Sequence, residues 1–202
     1  MRPLLALMLA GSAAHAAPRE TPGEIAFVPI EAKKLGVCEN DLFLMYANYG
    51  YLHMASQNFD GAAALLGKSV ELKPSYFKGW EYLGLARAGA GDFPGAAAAY
   101  SKAWELDPAN AAHYAYKRGP LYLSLNKPEL ALKDLDLALK TLPSRALIHR
   151  DRSMALLLLK RYGESERAFA EAVRLDPSLR GKPGGPCPRL SELGRGGEAC
   201  PP

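Results

Sequence analysis

The sequence predicts an all-α chain built as an array of stacked repeats. Three observations carry this: evenly spaced prolines, columns of small and large residues locked to those prolines, and apolar residues at helical spacing. Pro74, Pro108, Pro143 and Pro177 lie 34, 35 and 34 residues apart and close similar endings, VELKP, WELDP, LKTLP and VRLDP. A fixed period in this range signals supersecondary units that bury a core only by stacking on one another.

The first stretch reads as an address rather than as fold. Arg2 and the free amine precede the apolar run Leu4 to Ala10, and Ala14-His15-Ala16 fits a small-x-small cleavage rule. Residues 1–16 are expected to be a signal peptide cut after Ala16. No Cys follows the run, so a lipid-anchored start is not expected. The mature chain is expected in a bacterial periplasm or outside the cell, with 24 basic residues facing 21 acidic ones. Residues 17–42 begin Pro-Arg-Glu-Thr-Pro-Gly and read as a mobile segment, in which Pro29 to Val37 could supply one short helical turn as a cap.

Repeats are assigned at 43–76, 77–110, 112–145 and 146–179, with Ala111 as a one-residue insertion. Twelve residues before each proline stand Ala62, Ala96, Ala131 and Ser165, small enough for two helices to approach. Eight before stand Leu66, Tyr100, Leu135 and Phe169, large enough to fill the next gap. Five before stand Ser69, Ala103, Ala138 and Ala172, and twenty-four before stand Gly50, Gly84, Gly119 and Ser153. The prolines end the second helix of each unit, since the residue before a proline is biased away from helix. Asn58-Phe59, Asp92-Phe93 and Arg161-Tyr162 mark the internal turns. Pro120 falls inside the first helix of the third repeat, where it removes a backbone donor and is expected to kink the helix.

Residues 180–202 form a Pro- and Gly-rich tail. Cys38, Cys187 and Cys200 are the three thiols of the chain. In an oxidising compartment Cys187 and Cys200 are the expected disulfide, which leaves Cys38 over. Their spacing fits no zinc or haem motif, so no metal is expected.

Other chemistry finds no support. Hydrophobic residues make up 49% and charged residues 23%, with no internal apolar run of the roughly 18 residues a membrane span needs. Twenty-five basic against 21 acidic residues lacks the concentrated excess of a nucleic-acid binder. Ala62 to Ser69 reads AAALLGKS and satisfies a relaxed phosphate-loop pattern, but it lies within a predicted helix whose amides are already committed. His53, His113 and His149 fall in different columns, and neither HExxH nor GxSxG occurs. No catalytic residue and no cofactor is expected.

Trp80, Leu83, Gly84, Ala96, Tyr100, Ala103 and Pro108 together resemble the tetratricopeptide repeat signature, and four units in phase repeat it. The resemblance implies a helix–turn–helix per repeat and a right-handed α-solenoid. It also implies that first helices line a concave groove through their second, fifth, ninth and twelfth positions. In this chain those are Leu44, Ala47, Tyr51 and Met54; Lys78, Glu81, Leu85 and Ala88; His113, Tyr116, Pro120 and Leu123; Leu147, Arg150, Met154 and Leu157. Tyr51, Met54, Lys78, Glu81, His113, Tyr116, Arg150 and Met154 are the candidate partner-binding residues. Leu85, Leu123 and Leu157 are expected to pack between helices. Ala47 and Tyr51 stand where some members of the family clamp a terminal carboxylate, which argues against that clamp. Arg145, Arg150, Arg152, Lys160 and Arg161 give the fourth repeat a positive charge offset by Asp151, to which an acidic segment could dock.

The expected function is a non-enzymatic adaptor that binds a peptide or helical segment of another protein. The alternative is a structural subunit of a larger envelope assembly, stacking or self-associating through its uncapped end.

Overall fold

The computed structural model describes residues 41–180 together with Lys33, Gly36 and Cys38. The expected signal peptide, the tail and the Cys187–Cys200 pair lie outside the described residues. Of the expected cap, Gly36 N–H donates to Lys33 O at 3.3 Å.

Eight α-helices follow one another, and no strand occurs among the described residues. They are α1 (Leu42–Ala55), α2 (Phe59–Leu72), α3 (Phe77–Gly89), α4 (Phe93–Leu106), α5 (Ala111–Ser124), α6 (Pro128–Leu139), α7 (Ala146–Leu158) and α8 (Tyr162–Leu175). Short 3-10 turns cover Pro108–Asn110 and Pro177–Leu179. Each helix packs on the next, and α1 also meets α3 and α5 meets α7, so successive first helices lie side by side. The result is an all-α solenoid.

The proline-locked columns explain the packing within each pair. An added Cβ on Gly50 would lie 2.6 Å from Leu66, on Gly84 3.0 Å from Tyr100, and on Gly119 2.8 Å from Leu135. The first helix therefore approaches until its backbone touches the large residue of the second. Ser153 changes the solution in the fourth pair. Ser165 Oγ donates to Ser153 O at 2.8 Å, and Ser153 Oγ then donates to Ser165 Oγ at 2.9 Å. Two fully buried hydroxyls are thereby satisfied. Ser69 likewise donates to Phe43 O at 2.8 Å across the first pair.

The core runs between repeats as well as within them. Leu66, Val70 and Leu83 join the first two repeats, Tyr100, Ala103 and Tyr114 the next two, and Leu135, Ile148 and Leu156 the last two. Phe169 is only half-buried where its equivalents are closed, and it sits on the last described helix. Leu179 folds back on α8 and is buried, covering part of that end.

The turns obey one rule that composition does not display. Gln57, Gly91, Asn126 and Lys160 all adopt positive φ, at 62°, 84°, 53° and 59°. Asn58 and Asp92 then cap α2 and α4 by accepting from Gly61 and Gly95 N–H. The segment AAALLGKS lies wholly inside α2.

One expectation needs correction. Ala111 does not stand between repeats. It is the first residue of α5, which has 14 residues against 13 in α3 and α7. The inserted residue lengthens a helix because Pro108–Asn110 already fills the connection. Pro120 lies inside α5, whose helical run continues to Ser124. Ser124 Oγ donates to Pro120 O at 3.2 Å one turn on.

Candidate protein-interaction face

Side chains on the first helices divide into those that close the core and those that leave it. Tyr51 is 55% exposed at the ninth position of the first repeat, and its ring centroid lies 5.9 Å from that of Tyr82 on α3. Leu85, at the equivalent place in α3, is 43% exposed. This corrects the expectation that Leu85 packs between helices: the close approach at Gly84 seats its neighbour and turns Leu85 outward. Leu123 is partly buried against the core of the last two repeats, and Leu157 is half-buried. Leu44 and Leu147 are exposed at the second position of the first and fourth repeats. Ala47, by contrast, is buried in the core and lines no groove.

The other candidate residues are more enclosed. Met54 lies half-buried against the first core cluster, and Met154 is half-buried on α7. Lys78 is exposed at the start of α3. Glu81 and His113 meet across the second and third repeats, with His113 Nε2 at 2.8 Å from Glu81 Oε1. A carboxylate only accepts, so Nε2 carries the proton in that bond. Tyr116 is half-buried, with Lys117 Nζ 5.8 Å and Arg145 Cζ 5.6 Å from its ring centroid. A cleft of about 400 Å³ opens beside it, lined by Ala109, Asn110, Ala112, His113, Tyr116, Lys117, Thr141, Leu142 and Arg145. A second cleft of about 370 Å³ lies at the turn from Ser56 to Asp60 against Gly89 and Ala90.

The positive charge of the fourth repeat is largely neutralised within the fold. Arg150 donates twice to Asp151, at 2.9 and 2.7 Å. Arg152 donates to Asp136 at 2.6 Å, and Arg161 is bidentate to Glu164. Asp151, Asp136 and Glu164 thus balance Arg150, Arg152 and Arg161, and of the five expected cations Arg145 and Lys160 have no ion pair among the described residues. Burial pushes the Asp151 carboxyl above the usual carboxylate range, and Arg150 only partly offsets it.

Arg118, in the same column as Arg152, is the best-coordinated charge. Its Nε and Nη2 donate to Asp134 at 2.7 and 2.9 Å, and Nη1 donates to Ser101 at 2.7 Å. Its guanidinium lies 4.8 Å from the Trp104 ring centroid and 5.4 Å from that of Tyr122. Burial opposes the Arg118 charge, but the Asp134 carboxylate outweighs it and holds the guanidinium above its usual range. Ser101 and Asp136 occupy equivalent places, so both arginines reach back to the second helix of the preceding repeat.

A recurring tether was not read from the sequence. Six residues after the proline, Trp80 Nε1 donates to Pro74 O and His149 Nε2 to Pro143 O, both at 2.8 Å. At the same place Tyr114 Oη donates to Asp107 at 3.0 Å. Burial, then the Asp107 carboxylate, pushes the Tyr114 phenol up. Trp, Tyr and His share little except a donor on a ring, so residue type hides the equivalence. His53 contacts Asn58 at 3.0 Å, so each of the three histidines has its own partner and they do not converge.

Comparison with known proteins agrees with this architecture. A MamA structure from Desulfovibrio magneticus RS-1 superposes with a TM-score of 0.64 at 21% identity, covering 69% of this chain and 77% of that one. YrrB, described as a TPR protein with an unusual peptide-binding site, gives 0.63 at 20% identity, covering 74% of this chain and 75% of its own. Another MamA crystal structure gives 0.65 at 18%, covering 76% and 87%. No curated protein matches the chain. The family described as the tetratricopeptide repeat protein 21 C-terminal ARM domain matches residues 32–151, more than half of the sequence. With four stacked helix pairs and that match, the chain belongs to this family of tetratricopeptide-like repeat proteins.

Proposed function

We propose that the protein is a non-enzymatic interaction scaffold whose first-helix face binds a peptide or helical segment of another protein. One observation carries this reading. Leu44, Tyr51, Leu52, Leu85, Leu147 and Leu158 stay 39% or more exposed on first helices, whereas Phe43, Leu83, Ile148 and Leu156 of the same helices are closed to 5% or less. Large apolar and aromatic side chains held outward on rigid, adjacent helices supply contact area at little entropic cost. Arg118, Arg152 and Arg161 are held by acids, and His53, His113 and His149 each have a partner within the fold. On the sequence of residues 1–16 we further propose that the scaffold works in the bacterial envelope after export.

The test uses the full chain as bait in an extract of the exported fraction, beside a Tyr51→Ser, Leu85→Ser variant. The variant should keep its helical circular dichroism and lose the captured segment by about ten-fold or more, as for two interface anchors. Undiminished capture would reject this face and move binding to the ends. There half-buried Phe169 favours the reading of a subunit that stacks on a neighbour.

A further inference from the structure

The cleft beside Tyr116 has a chemistry the rest of the face lacks. Its nine lining residues include Lys117 and Arg145 and no Asp or Glu. Among the described residues neither cation has an acidic partner, although nine other ion pairs occur there. The two nearby acids are already engaged. Glu81 faces His113, and Asp107 accepts from Asn110 Nδ2 at 2.8 Å and from Tyr114. Lys117 and Arg145 instead share one aromatic ring, at 5.8 and 5.6 Å. Two like charges beside one ring repel, and an anion between them would relieve that repulsion. Asn110 and Thr141 add polar lining to the same space. A volume of about 400 Å³ admits a side chain or two, not a folded domain.

We propose that this cleft is a subsite for an acidic side chain, Asp or Glu, of a peptide segment bound along the first-helix face. The inference rests on the scaffold reading above and names the chemistry of the partner. Lys117 and Arg145 would receive the carboxylate, and the Tyr116 ring would pack against the stem of the same side chain. The site lies at the opening of α5 and at the connection from α6 to α7. The exposed apolar positions Tyr51 and Leu85 lie two repeats and one repeat away. A bound segment would therefore carry its acid toward the end that rests on the third repeat.

The test is fluorescence anisotropy with the full chain and two rhodamine-labelled decapeptides, one alternating Leu with Glu and the other Leu with Gln. The Glu peptide should bind about five- to ten-fold more tightly at low salt, the size expected for two partly exposed charge contacts. Lys117→Met with Arg145→Met should remove that preference and leave the circular dichroism unchanged. The charge-matched control, Lys68→Met with Lys102→Met, should keep it. Equal affinity for the two peptides, binding of neither, or a preference that survives Lys117→Met with Arg145→Met or falls equally in the control would each overturn the proposal. A preference abolished at Lys117 and Arg145 yet indifferent to Tyr51→Ser, Leu85→Ser would keep the acidic subsite and reject the wider face.

Discussion

Lys160 holds a backbone conformation that costs a side-chain-bearing residue about 1–2 kcal/mol. Its φ of 59° is required because the turn from α7 to α8 follows the same path as the turn at Gly91. Asn126 tolerates such a path through its short polar side chain, but Lys160 and Gln57 gain nothing comparable. Lys160→Gly should therefore stabilise the fold by about 1 kcal/mol, seen as a higher urea midpoint with an unchanged slope. A neutral or lowered midpoint would mean that the lysine stem contributes packing that offsets the strain. Of this column only Gly91 announces itself in the sequence. The others hide because the structure imposes the left-handed path whether or not the residue favours it.

The pairing of helices depends on Arg118 more than on any other polar group. Asp134 is 3% exposed and Arg118 gives it two hydrogen bonds, so removing one partner leaves a charge without compensation inside the fold. Asp134→Ala should cost about 3 kcal/mol in chemical denaturation. Arg152→Ala, whose partner Asp136 is half in water, should cost under about 1 kcal/mol. Similar losses for the two variants would contradict this account of Arg118. The sequence shows that Arg118 and Arg152 replace apolar residues of their column. It does not show that Arg118 finds Asp134 in its own repeat whereas Arg152 finds Asp136 in the one before. Partner choice depends on the reach of a side chain across a helix contact, and spacing along the chain does not encode that reach. For the same reason a count of charges within the fourth repeat misses Asp136, which neutralises Arg152 from the third. The small-residue columns were legible for the opposite reason: contact between a glycine and a large residue repeats at each period, so the constraint prints itself four times.

At the scale of the molecule, stability is a sum over neighbours, because three core clusters join adjacent repeats, a fourth lies within the first, and none spans the array. A chain ending at Arg145 should keep the helicity of three repeats and lose about 3 kcal/mol or more, as Leu132 and Leu135 lose their cover from α7. Thermal melts followed by circular dichroism decide this, and complete unfolding of the shortened chain would show that the fourth repeat is indispensable. The exposed face was only partly legible. The family resemblance named its columns, but burial of Ala47 and exposure of Leu85 depend on how tightly each pair closes. The tethers at Trp80 and the stack of Arg118 on Trp104 have one more consequence. The chain has two indoles, and both lie in the second repeat. Its tryptophan fluorescence, excited selectively over tyrosine, is thus a local probe of the interior of the array. The last repeat can fray and re-form in optical silence, while the amide signal registers every helix that is lost.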